Sequence, residues 1–125
     1  MAILNSEVFE FMDVLKYCLS KKGAYEDFPF GPEPATIKVG SKMFALISNR
    51  SDKIFISLKC DPFVAQSLRE QYPSITPGDH LNKQHWNTIA IDGTVPKHEI
   101  IWMIDHSYDL VYKSLTKAEK EKING

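Results

Sequence analysis

The chain has 125 residues, 43% of them hydrophobic and 25% charged, with a formal net charge of -1. A chain of this length buries roughly two-thirds of its unfolded surface, so one domain can fold here without metal or disulfide. The near-neutral balance argues against strong non-specific nucleic-acid binding, and the longest apolar run, Ile100–Ile104, falls far short of the roughly 18 residues of a membrane span.

The first predicted element is a helix. Asn5 or Ser6 can cap it, Glu7 and Glu10 suit its N-terminal dipole, and Val8, Phe11, Met12, Leu15, Cys18 and Leu19 form one apolar stripe. Lys21 and Lys22 suit its last turn and Gly23 its stop. Three prolines between Phe28 and Pro34 then make a stiff connector with Phe28 and Phe30 as aromatic anchors.

From Thr36 the period changes to two. Thr36–Val39 is a strand, Gly40-Ser41 fits a type II′ turn, and Met43–Ile47 is a second strand. Asn49-Arg50-Ser51-Asp52 is a second turn, before a third strand over Lys53–Lys59. In that strand Ile54, Ile56 and Leu58 share one face, and Lys53, Phe55, Ser57 and Lys59 the other. Asp61-Pro62 starts a helix that Pro73 ends. A short extra strand fits between Ile75 and Lys83, Trp86–Ile91 is a fourth main strand, and Pro96 opens the last helix, striped by Ile100, Ile104, Tyr108, Val111 and Leu115. Residues 116–125 alternate charges and read as a solvated tail.

The predicted order is therefore α-β-β-β-α-β-α in one domain over residues 1–125. It reads as a two-layer α+β fold, an antiparallel sheet with its helices on one face. No basic region precedes the N-terminal apolar residues, and carboxylates interrupt them, so a cytoplasmic location without membrane association is expected. Cys18 and Cys60 lack CxxC spacing and read as reduced, partly buried thiols.

Charge is unevenly placed. Between Pro34 and Cys60, Lys38, Lys42, Arg50, Lys53 and Lys59 face the lone acid Asp52, whereas both flanks are acidic. A second concentration of polar and aromatic groups is Pro77–Asn87, where His80 and His85 can donate, Lys83 can hold an anion and Trp86 can stack or anchor the loop. His80 and His85 are not at i, i+4 spacing and have no third ligand, so no metal or other cofactor is expected. Asp105-His106-Ser107 cannot form a triad, because adjacent helical residues do not face one another. No G-x-S-x-G, P-loop or G-x-G-x-x-G is present, and the chain is expected not to be an enzyme.

Several segments together resemble the MmcQ/YjbR family: Leu58-Lys59-Cys60-Asp61-Pro62, Leu68-Arg69-Glu70-Gln71-Tyr72-Pro73, Pro77-Gly78-Asp79-His80-Leu81-Asn82-Lys83-Gln84-His85-Trp86-Asn87-Thr88, Asp92-Gly93-Thr94-Val95-Pro96, and Asp105-His106-Ser107-Tyr108-Asp109-Leu110-Val111. The likeness runs from roughly Glu7 to Leu115. It implies a CyaY-like or secretion-chaperone-like α+β fold and a double-wing DNA-binding function, with no catalytic residues. Its motif residues fall on His80, Asn82, Lys83, His85, Trp86, Ser107 and Tyr108. On this reading the two turns are wings on double-stranded DNA, Lys38, Lys42, Arg50 and Lys53 contact phosphates, and His80, Asn82, Lys83 and His85 add polar contacts. The alternatives are a chaperone-like adaptor that binds a protein or peptide, and a small-ligand pocket beside Trp86.

Overall fold

A computed structural model describes residues 10–78 and 81–125. The proposed caps Asn5 and Ser6, and also His80, lie outside the described residues. Helix α1 (Phe11–Leu19) is followed by strands β1 (Ala24–Asp27), β2 (Ala35–Val39), β3 (Lys42–Arg50) and β4 (Lys53–Lys59). Helix α2 (Pro62–Gln71), β5 (Ile75–Pro77), β6 (Trp86–Ile91), α3 (Lys97–Lys113) and α4 (Lys117–Asn124) complete the order.

All six strands form one antiparallel sheet in the order β1-β2-β3-β4-β6-β5. The expected three-strand meander is its centre. Of the Gly40-Ser41 pair, Gly40 alone takes a positive φ, 60°, which matches a type II′ turn. The next turn is tighter than the sequence suggests: β3 runs on through Arg50, and Ser51 and Asp52 carry φ of 52° and 65°.

Helices α1, α2 and α3 pack on one face of this sheet. Ile56 and Leu58 of β4 join Val14, Cys18, Ile104 and Val111 in the core they enclose. Pairing register fixes what the other face carries. Ser57 pairs with Leu46 and Thr88, and Phe55 with Ser48 and Ala90, so these residues share the uncovered side. Arg50, Lys53 and Lys59 have the same parity.

Ala24–Asp27, too short and polar to show a period, is an edge strand on β2. Two expectations need correction. Phe28 and Phe30 are not anchors, since both rings are exposed. Residues 117–124 form helix α4, not a solvated tail. The Thr116 hydroxyl accepts the Glu119 amide at 3.1 Å in a capping box, and Glu119 accepts the Ser41 amide at 2.8 Å, which docks the helix on the β2–β3 turn.

Candidate functional site

The predicted phosphate contacts do not form one patch. Lys42 and Arg50 stand at opposite ends of β3, about 26 Å apart for eight residue steps. Successive turns of a meander lie at opposite ends of its strands, so the two turns are not neighbouring wings. The β2–β3 turn is also covered. Lys42 Nζ donates to the Ser114 carbonyl at 3.2 Å and its hydroxyl at 3.1 Å, at the C-terminus of α3, and acidic Glu119 holds the Ser41 amide. Lys38 is paired with Asp27 at 3.1 Å. The Phe28 amide, then Lys38, hold the Asp27 carboxyl below the usual carboxylate range.

The other end of the hairpin is different. Arg50 and Lys53 are direct register partners beside the Ser51-Asp52 turn, and like charges so opposed destabilise a strand pair. Both are exposed. The Arg50 guanidinium lies 4.9 Å from the centre of the Phe55 ring. From the loop before β6, Lys83 joins them around an open groove of about 720 Å³, which Phe55, Thr76 and Thr88 also line. The structure thus brings together Arg50, Lys53 and Lys83, and separates Lys38 and Lys42 from them.

The loop carrying Lys83 is held by groups at its base. Asn82 Oδ1 accepts the Gln84 and His85 amides at 2.9 and 3.3 Å, and the His85 carbonyl accepts the Cys60 amide at 2.7 Å. Arg69 of α2 donates through Nε to Asn87 Oδ1 at 2.7 Å and through Nη2 to the Lys83 carbonyl. Charge pattern does not mark Arg69; its place in Leu68-Arg69-Glu70-Gln71-Tyr72-Pro73 does. Trp86 is 8% exposed. Parity puts it on the face away from the helices, where Gly78 fits so closely that an added Cβ would lie 2.7 Å from Trp86 Cβ.

Ser107 and Tyr108 have structural roles. The buried Ser107 hydroxyl accepts from the Lys59 amide and donates to the Phe44 carbonyl. Tyr108 packs edge-on against Phe44, with ring centres 5.3 Å apart, and its hydroxyl donates to the Lys22 carbonyl. Neighbouring Asp105 instead accepts from Tyr17 at 2.7 Å and Lys21 at 2.8 Å, while His106 Nε2 accepts the Asp61 amide at 3.2 Å. Asp105, His106 and Ser107 therefore bond to different groups and not to one another. Among the described residues no group of three or more His, Cys, Asp or Glu side chains is placed to hold a metal ion, and no helix is long and apolar enough to cross a membrane.

On the helical side, Phe63 and Trp102 are exposed, 85% and 49%. They flank a shallow cavity of about 390 Å³ with Val64, Leu68 and Glu99.

Comparison with known proteins agrees with this architecture. The crystal structure of Deinococcus radiodurans protein DR2400 superposes with a TM-score of 0.85 at 38% identity, covering 94% of this chain and 88% of that one. The protein described as "Uncharacterized protein YjbR" from Escherichia coli (strain K12) is 34% identical over 111 residues, 89% of this chain and 93% of its own length. "Uncharacterized protein YbdF" from Escherichia coli O157:H7 is 35% identical over 96 residues, 77% of this chain and 79% of its own. The YjbR family model matches residues 19–110, a span that contains the sheet, Ser107, Tyr108 and the Arg69-held loop, and the chain belongs to the YjbR family.

Proposed function

We propose that this protein is a non-catalytic binding protein of the cytoplasm, and that it binds nucleic acid on the uncovered face of its sheet, at the end formed by Arg50, Lys53 and Lys83. The observation that carries the reading is the opposition of Arg50 and Lys53 across two paired strands, with Lys83 facing them over the groove. Such an arrangement costs stability in the free protein and is relieved by an anion. A phosphate backbone supplies anions at regular spacing. Thr76, Thr88 and the Phe55 ring line the same groove and add polar and stacking contacts.

The mode differs from two adjacent wings. One hairpin end and one loop make a single short track, and the β2–β3 turn is left out of it. Fluorescence anisotropy with a labelled duplex and the matching single strand, at low salt, tests the reading. The wild type should bind at least one of them, and the variant Arg50→Ala/Lys53→Ala/Lys83→Ala should bind neither. No binding by the wild type removes the proposal.

A second reading, a protein-binding adaptor, is favoured by Phe63 and Trp102, which leave apolar surface exposed between α2 and α3. Phe63→Ser should leave nucleic-acid affinity unchanged, because that surface lies on the opposite side of the sheet.

A further inference from the structure

A second cavity, of about 560 Å³, lies on the uncovered face beside the basic groove. Phe30, Leu46 and Leu81 supply apolar walls, and Ser48, Ser57 and Arg50 supply polar groups. We infer that this cavity binds a small amphipathic organic anion: a compact aromatic or branched apolar body carrying one carboxylate, sulfonate or phosphate.

Its volume is within the range of small-molecule sites, roughly 300–1,000 Å³. A few fixed polar groups in an otherwise apolar wall are what orients such a ligand. The strands give the floor: Leu46 and Ser57 are register partners on adjacent strands, and the Ser57 hydroxyl is fixed at 2.8 Å from that of Thr88. The mouth is formed by the Phe28–Pro34 loop. Phe30 is 60% exposed there, a large ring on a proline-stiffened segment outside the core cluster of the described residues. A bound apolar body would cover it.

Charge selects the head group. Arg50 borders both this cavity and the groove that holds Lys53 and Lys83. The one carboxylate in the cavity wall among the described residues is Glu33, which is exposed to water. Arg50 against one water-exposed carboxylate favours an anion at the Arg50 end, with its apolar body toward Leu46. The site is separable from the nucleic-acid reading. Lys53 and Lys83 line only the groove, whereas Phe30, Leu46 and Leu81 line only the cavity.

The test uses the full chain and 8-anilinonaphthalene-1-sulfonate, an aromatic anion whose fluorescence rises when it leaves water, with 1-naphthoate as competitor. Saturable binding at one site, displaced by 1-naphthoate, is expected. Leu46→Trp fills the cavity and Phe30→Ala removes its mouth; each should weaken binding about tenfold or more while leaving far-ultraviolet circular dichroism unchanged. Arg50→Gln should weaken it and Glu33→Gln strengthen it. Lys53→Ala/Lys83→Ala should leave dye binding intact, so that loss of nucleic-acid binding and loss of this site are seen separately. No saturable binding to the wild type would overturn the inference. So would binding that ignores both Leu46→Trp and Phe30→Ala, or that is abolished by Phe63→Ser on the helical face.

Discussion

The Ser107 hydroxyl accepts the Lys59 amide at 2.9 Å, and it passes its own hydrogen to the Phe44 carbonyl at 2.7 Å. These two backbone groups stand where the β3–β4 ladder would otherwise continue past Ala45 and Leu58. A helix side chain thus closes the end of a strand pair, at a point where the β2–β3 register also shifts. Ser107→Ala leaves a part-buried amide and a buried carbonyl without this partner, which costs about 1–3 kcal/mol. Urea unfolding should show that loss, and an unchanged midpoint would remove Ser107 from the structural account.

Trp86 and Gly78 form a second fixed contact. The Gly78 amide donates to the Trp86 carbonyl at 2.8 Å, and the backbones are too close for a side chain at position 78. Trp86→Ala should destabilise by about 3 kcal/mol or more, as large-to-small changes of buried aromatics do. Gly78→Ala should also lower the melting temperature, because its Cβ would meet Trp86 Cβ at 2.7 Å. If both variants melt like the wild type, Trp86 is not an anchor.

Burial, then the charge of Asp105, pushes the Cys18 thiol up to about 12. Burial, then Asp61, pushes Cys60 to about 11. At pH 8 only about one Cys60 in a thousand is thiolate. Iodoacetamide should therefore modify neither cysteine of the native protein at a useful rate, and both promptly in urea. Mass spectrometry reads the result directly; fast labelling of either residue in the folded state would contradict the packing described.

His106 gives the fold a pH dependence whose sign follows from its surroundings. Burial lowers its proton affinity below the ordinary value, outweighing Asp61 and Asp109, which raise it; Lys113 lowers it further. Its Nε2 accepts the Asp61 amide, a bond that protonation removes. The unfolded chain then binds more protons than the folded one, so stability is full above the ordinary imidazole value of about 6.5 and is lost as pH falls through the lower folded value. Between pH 8 and pH 5 the wild type should lose more stability than His106→Gln. Equal losses would show that His106 is not the titrating group.

The legible part of this chain was the part governed by period and punctuation. Ile54, Ile56 and Leu58 alternating with Lys53, Phe55 and Ser57 gave β4 its two faces, and Asp61-Pro62 marked the start of α2; the Asp61 carboxylate indeed accepts the Phe63 and Val64 amides. Tertiary docking decided what remained. Nothing in Ala24-Tyr25-Glu26-Asp27 distinguishes an edge strand from a loop until β2 is beside it. In helix α4 the alternating charges mask a local capping box, Thr116 with Glu119, and the contact that docks it, Glu119 with Ser41, lies 78 residues away in the chain. Among the candidate site residues, alternation correctly put Lys53 and Phe55 on one face, but linear spacing could not reveal that Lys42 is committed to the end of α3. It also could not show that Asn82 and Trp86 hold a loop together.

The salt dependence of nucleic-acid affinity decides whether Arg50, Lys53 and Lys83 hold phosphates. Three phosphate contacts from Arg50, Lys53 and Lys83 predict a double-logarithmic slope near about -2.7 on a duplex, at about -0.9 per contact, or near about -2.1 on a single strand. Arg50→Ala/Lys53→Ala should flatten the duplex slope by about 1.8 and weaken all sequences alike. Lys42→Ala should leave the slope where it was. A slope unchanged by the Arg50/Lys53 pair, or flattened by Lys42→Ala instead, would contradict the assignment of this face as the binding surface.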